Sequence, residues 1–165
     1  MRALALAALL LTFGAVPAHA QRAPAVDFTA GWAGFADESV VHHTTMGMAA
    51  RFPISRRVSV GPEVIYMIGP DGDRDVFIAA LLTTDLRTGT PDRPPRVIPY
   101  VMLSGGVMFH RGPFFWIDEW YRTWSLSGGG GVRTRVTDRV NIGGEARIGS
   151  DLELRLTGAV SYRFR

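Results

Sequence analysis

The chain has 165 residues, no cysteine, and 18 basic against 15 acidic side chains, a formal net charge of +3. Without cysteines no disulfide can hold the fold. Every basic residue is an arginine, and these arginines are interleaved with acids along the chain. That pattern argues against nucleic-acid binding, which needs a clustered basic face.

The N-terminus has the three-part pattern of a secretory signal. Arg2 supplies a positive start, residues 3–13 form an apolar run, and Ala18 and Ala20 offer small residues where a signal peptidase cuts. The run is about half the roughly 20 residues that a membrane-spanning helix needs. We therefore expect residues 1–20 to be a cleaved signal peptide and residues 21–165 to form one domain.

From residue 21 onward the chain alternates apolar and polar residues, which is typical of β-strands. Strands are predicted at 26–35, 43–52, 58–68, 75–87, 97–110, 121–136, 140–149 and 152–164. Roughly ten residues is the length that a tilted membrane strand requires. The sequence therefore predicts an all-β fold, a closed antiparallel up-and-down barrel of about eight transmembrane strands.

The connections between these strands divide into two sets. Residues 36–42, 69–74, 111–120 and the two-residue step Ser150-Asp151 would lie outside the cell. Residues 53–57, 88–96 and 137–139 would lie on the periplasmic side with both termini, as an even strand count requires.

Charged side chains of both signs fall on the polar parity of the strands. We predict that these side chains form an interior ion-pair network: Glu63, Arg133, Arg135, Glu145, Arg147, Glu153 and Arg155. In particular, Glu63 and Glu145 should meet arginines among Arg133, Arg147 and Arg155. On the lipid-facing side each charge near the midplane would cost about 2–4 kcal/mol, which fixes the register. Glycines of the same parity leave room inside a narrow barrel.

Aromatic residues gather near the strand ends, as expected for the two interfaces of a membrane barrel. The predicted girdle comprises Trp32, Phe109, Trp116, Trp120, Trp124, Tyr162 and Phe164. Alternation alone also fits a soluble periplasmic lipocalin-like ligand-binding barrel with its apolar face inward. Charge parity, glycine placement and the aromatic belts favour outer-membrane lipid as the surroundings.

The C-terminal half resembles the outer-membrane β-barrel family related to OmpA and OmpX. The resemblance rests on 99–101, the glycine run of 128–133, the turn of 137–139, the inward Glu145 and the closing 158–164. It implies an eight-stranded outer-membrane barrel. It also implies that the barrel assembly machinery reads the last strand, ending at Phe164, although Arg165 follows that aromatic here.

No motif predicts catalysis, a metal or a cofactor. The acids of 71–75 begin like a calcium loop, but Val76 and Leu82 stand where that loop needs glycine and glutamate. His42, His43 and His110 lie at outer strand ends, yet no Gly-x-Ser-x-Gly nucleophile motif accompanies them.

The sequence thus predicts a non-enzymatic barrel with a structural or surface-interaction role in the cell envelope, and it names no ligand. Two alternatives remain open for a membrane barrel. One is a narrow passive channel, although eight strands leave little lumen. The other is a lipid-A-modifying hydrolase that uses the rim histidines.

Overall fold

A computed structural model describes residues 23–36, 40–87, 89–90, 93, 95–112, 120–150 and 152–164. Within this part of the chain there are eight strands and one short 3-10 turn at Pro70–Gly72. The strands are β1 (Ala25–Ala36), β2 (Val40–Pro53), β3 (Val58–Ile68), β4 (Arg74–Asp85), β5 (Val97–Arg111), β6 (Tyr121–Arg135), β7 (Val140–Gly149) and β8 (Glu153–Arg163). In the described part of the chain, no helix is both long and apolar enough to cross a membrane.

The eight strands form one closed barrel in sequence order. Every neighbouring pair is antiparallel, and β1 closes the sheet against β8 from Ala25↔Arg163 to Phe35↔Glu153. Closure removes both free sheet edges, which is the condition for a β-structure to sit in lipid. The predicted up-and-down barrel of eight strands is confirmed.

The strands alternate strictly between an outward and an inward face. Large apolar side chains on the outward face are exposed on every strand, among them Phe28, Met48, Val64, Ile78, Leu103, Leu126, Ile142 and Leu156. Buried polar and charged side chains occupy the inward face. This arrangement is inverted relative to a soluble barrel, so the lipocalin-like alternative is wrong and the strands are transmembrane.

Strand boundaries differ from the predictions mainly at the outer end. β1 and β2 continue to Ala36 and from Val40, so only residues 37–39 separate them. Between β7 and β8 lie three residues, 150–152, rather than the predicted step of two, and Leu152 has a positive φ of 52°. The alternation at these ends is weak because small and polar residues occur on both faces.

Two apolar clusters lie inside the barrel. The larger contains Ala33, Ile65, Met67, Phe77, Ala79 and Met108, and the smaller contains Ala49, Leu81, Tyr100 and Met102. The interior is therefore layered, with apolar side chains between groups of charges. The signal segment 1–20 lies outside the described residues, so its cleavage stays a prediction.

Candidate functional site

The barrel lumen contains the buried charges, and these form groups at successive depths. Nearest the termini, the Arg51 guanidinium donates two hydrogen bonds to the Asp27 carboxylate and one to Ser161 Oγ at 2.8 Å. On the other side of this layer Arg133 pairs with Asp85. Both pairs satisfy charges that would otherwise be costly to bury.

Arg147 is the centre of the middle group. Its Nη1 donates to both carboxylate oxygens of Glu63, at 2.7 and 2.9 Å, and its Nη2 donates to Glu145 at 2.8 Å. Tyr100 donates its hydroxyl to the other Glu145 oxygen at 2.7 Å. One guanidinium thus holds carboxylates from two strands, β3 and β7, on either side of the lumen.

Tyr100 connects the middle group with the group nearest the termini, which is called the inner group below. The Arg133 guanidinium lies 4.4 Å from the centre of its ring, a cation–π contact. The ring passes over Gly131, where a Cβ atom would lie 2.8 Å from Cζ. The space left among these side chains is a cavity of about 10 Å³, close to the smallest that can hold one water molecule.

The structure places the seven predicted interior residues as follows. Glu63 and Glu145 both contact Arg147. Arg155 lies 3.5 Å from Glu153. Arg133 pairs with Asp85 rather than with a glutamate, and Arg135 is half-buried at the inner end of β6.

Sequence reasoning missed Asp27, Arg51 and Asp85, three members of the inner group. Asp27 and Arg51 lie on β1 and β2, where the alternation is weakest. Their shared inward parity with the charges of β7 and β8 is the signal that could have found them.

Aromatic side chains lie near both ends of the barrel. At the outer end Trp124 and Trp120 are exposed, and Trp32 donates its indole N–H to His42 Nδ1 at 3.1 Å. At the inner end the rings of Tyr162 and Phe164 meet edge to face with centroids 5.4 Å apart. Phe109 faces outward and is half-buried, and Trp116 lies outside the described residues.

A second group of titratable side chains lies at the outer mouth of the lumen. His43 Nε2 lies 3.0 Å from Asp73 and 3.4 Å from Asp75, and His110 Nδ1 lies 2.7 Å from the other Asp75 oxygen. Each imidazole thus lies within ion-pair distance of at least one carboxylate. The sequence placed the histidines at the rim and the acids in the next hairpin, but it gave no reason to bring them together.

The fold is that of the small eight-stranded barrels of bacterial outer membranes. Neisserial surface protein A (NspA) is similar with a TM-score of 0.71 at 16% identity, over 86% of this chain and 97% of that one. OprG, an outer membrane protein of Pseudomonas aeruginosa, matches with a TM-score of 0.52 at 12% identity, over 86% and 90%.

A third similar structure is Ail, the attachment invasion locus protein of Yersinia pestis, in complex with the heparin analogue sucrose octasulfate. Its TM-score is 0.51 at 10% identity, over 87% of this chain and all of that one (100%). Neither protein-family models nor curated proteins give a match to this sequence. The resemblance to OmpA- and OmpX-like barrels is thus confirmed for the fold, and the likeness supports an outer-membrane location.

Proposed function

We propose that this chain is a non-catalytic outer-membrane barrel with a structural role in the cell envelope, closed to diffusion. The observation that supports this proposal best is that side chains fill the lumen. Ion pairs close its inner half and an apolar layer that includes Met67, Phe77 and Met108 crosses its outer half. A solute would have to displace both to pass.

The outer connections support a structural rather than a highly specific surface role. The strands are separated at that end by short segments only: 37–39, 69–73, 112–120 and 150–152. Such short connections give a partner little area to recognise. Two of the similar structures are a surface protein and an attachment protein. If the barrel also has an interaction role, we therefore propose that it acts by contact at the cell surface.

Planar-bilayer recordings test the closed lumen. Purified protein should give no steady conductance at either polarity, because ion pairs and the apolar layer fill the described lumen. A steady open level that scales with the amount of inserted protein would replace the structural role with a channel.

Mass spectrometry of lipid A tests the absence of catalysis. Cells with and without the protein should have the same acyl chains. A lost acyl chain that returns when His43 and His110 are both changed to alanine would establish a rim hydrolase instead.

The last strand carries a further part of this proposal, recognition by the barrel assembly machinery. Phe164 is exposed beside Tyr162 at the inner end, and its backbone N–H donates to Pro24. Phe164→Ala should slow insertion in cells while leaving refolding in detergent unchanged. Equal insertion of the variant and the wild type would remove this role.

A further inference from the structure

The outer mouth of the lumen brings four metal-ligating side chains together. His43 is on β2, Asp73 is in the β3–β4 connection, Asp75 is on β4 and His110 is on β5. His43 and Asp75 are 3% and 2% exposed, whereas the Asp73 side chain is 18% exposed. The group is thus buried on the barrel side and open to solvent through Asp73.

The charges in this half of the lumen do not balance. From the middle group outward, the described inward-facing side chains include five carboxylates and two guanidiniums: Glu63, Asp73, Asp75, Glu145 and Glu153, against Arg147 and Arg155. Arg147 is taken by Glu63 and Glu145, and Arg155 is nearest to Glu153.

The imbalance is concentrated at Asp73 and Asp75. Among the described residues, the only basic groups within ion-pair distance of these two carboxylates are the imidazoles of His43 and His110. A buried carboxylate is costly unless a cation accompanies it. The site therefore needs positive charge, which can come from protonated histidines or from a bound metal ion.

The spacing of the ligand atoms fits a metal ion. Two ligands that are each about 2.0–2.1 Å from a tetrahedral zinc ion are about 3.3 Å apart. His43 Nε2 is 3.0 and 3.4 Å from the two carboxylates. One donor atom from each of His43, Asp73 and Asp75 lies within 4.8 Å of the others, so a small side-chain adjustment brings all three into one coordination sphere.

The donor types narrow the choice of ion. Imidazole suits zinc, copper, iron and nickel, whereas magnesium and calcium take oxygen ligands. His110 binds the Asp75 oxygen that His43 does not face, and such a partner orients a ligating carboxylate. Gly69 leaves room for the imidazole, because a Cβ there would lie 2.8 Å from His43 Cδ2.

We propose that His43 Nε2 and the carboxylates of Asp73 and Asp75 bind one divalent transition-metal ion of the zinc type at the outer mouth of the barrel, with His110 positioning Asp75. The ion neutralises the two carboxylates. It also ties β2 to the β3–β4 connection, which closes the outer end of the lumen. The site is independent of whether the barrel has a structural role.

Zinc binding to protein purified in detergent tests the proposal. After EDTA treatment and dialysis, titration calorimetry with zinc chloride should give one ion per chain, and an excess of magnesium chloride should not compete. Asp73→Asn and His43→Ala should each weaken zinc binding at least tenfold. Folding of every variant is checked by the heat-dependent migration of intact barrels in SDS gels.

The chain offers a matched control for each variant. His42→Ala removes the neighbouring histidine, which faces outward against Trp32, and Asp71→Asn makes the same change in an exposed residue of the same connection. Both controls should bind zinc as the wild type does. If His43→Ala does not fold, Asp73→Asn decides the question. The Asp73 side chain is partly exposed, and asparagine has nearly the same shape as aspartate. No zinc bound by the wild type, or equal binding by Asp73→Asn and Asp71→Asn, overturns the proposal.

Discussion

Individual arginines determine how the lumen is filled. The Arg147 side chain is 5% exposed, and its guanidinium contacts Glu63 and Glu145 together. A planar guanidinium can satisfy two carboxylates at once, which the point charge of a lysine ammonium does less well. A composition with arginine as the only basic residue therefore suits a barrel whose charges face inward.

Replacing this arginine should destabilise the barrel strongly. Arg147→Met leaves two carboxylates buried without their cation, and removing one partner of a buried pair typically costs about 3–5 kcal/mol. Arg139→Met, in the exposed β6–β7 turn, should change the free energy of unfolding by less than about 0.5 kcal/mol. Equilibrium urea unfolding in detergent compares the two variants. Equal midpoints would mean that water, rather than Arg147, solvates the two glutamates.

At the scale of elements, the glycine run of β6 shows how neighbouring strands fit. Gly129 and Gly131 face inward and Gly128 and Gly130 face outward, so one run serves both faces. Tyr100 on β5 lies over Gly131, and this contact lets its hydroxyl reach Glu145 on β7. The glycine is needed there for close approach of the ring.

A methyl group at residue 131 should push β6 away from its neighbours β5 and β7. In Gly131→Ala the new Cβ would lie 2.6 Å from the Gly144 carbonyl oxygen and 2.8 Å from Tyr100 Cζ. Overpacking of this kind costs about 1–3 kcal/mol. In Gly128→Ala the nearest atom is 3.7 Å away, so that variant should be as stable as the wild type or more so. Urea midpoints that fall equally for both would show that the lost glycine, not the Tyr100 contact, is responsible.

The sequence was informative wherever alternation is strict. β5 to β8 have clear alternation, so their parity, inward charges and approximate bounds could be predicted. The apolar layer around Phe77 could not, because 76–82 on β4 is apolar on both faces. The pairing of charged side chains across the lumen could not be predicted either. The contact between Glu63 and Arg147 depends on the stagger of strands that are far apart in the sequence.

The cluster of His43, Asp73 and Asp75 shows the same limit. The alternate acids of 71–75 begin like a calcium loop, and such a loop draws its ligands from one segment. In the structure one histidine comes from β2 and the acids from the β3–β4 hairpin, and only barrel closure brings them to the same end of the lumen.

For the whole molecule, the inverted distribution of polarity should make the cost of a surface charge depend on depth. Leu103, at the middle of β5, and Val97, at its inner end, both face outward and are similarly exposed. In lipid, arginine at the midplane costs about 2–4 kcal/mol and near an interface about 0–1 kcal/mol. Leu103→Arg should therefore lower the free energy of unfolding by the larger amount and Val97→Arg by the smaller.

Reversible urea unfolding in lipid vesicles measures this difference. The pair is matched in strand, face and new side chain, so their difference isolates depth. If lipid surrounds the barrel, the gap should shrink in vesicles of short-chain lipid, because a thinner hydrocarbon layer brings Leu103 closer to water. If each variant lowers the free energy of unfolding by the same amount in thick and in thin vesicles, water rather than lipid surrounds this face. The membrane-spanning assignment would then be wrong.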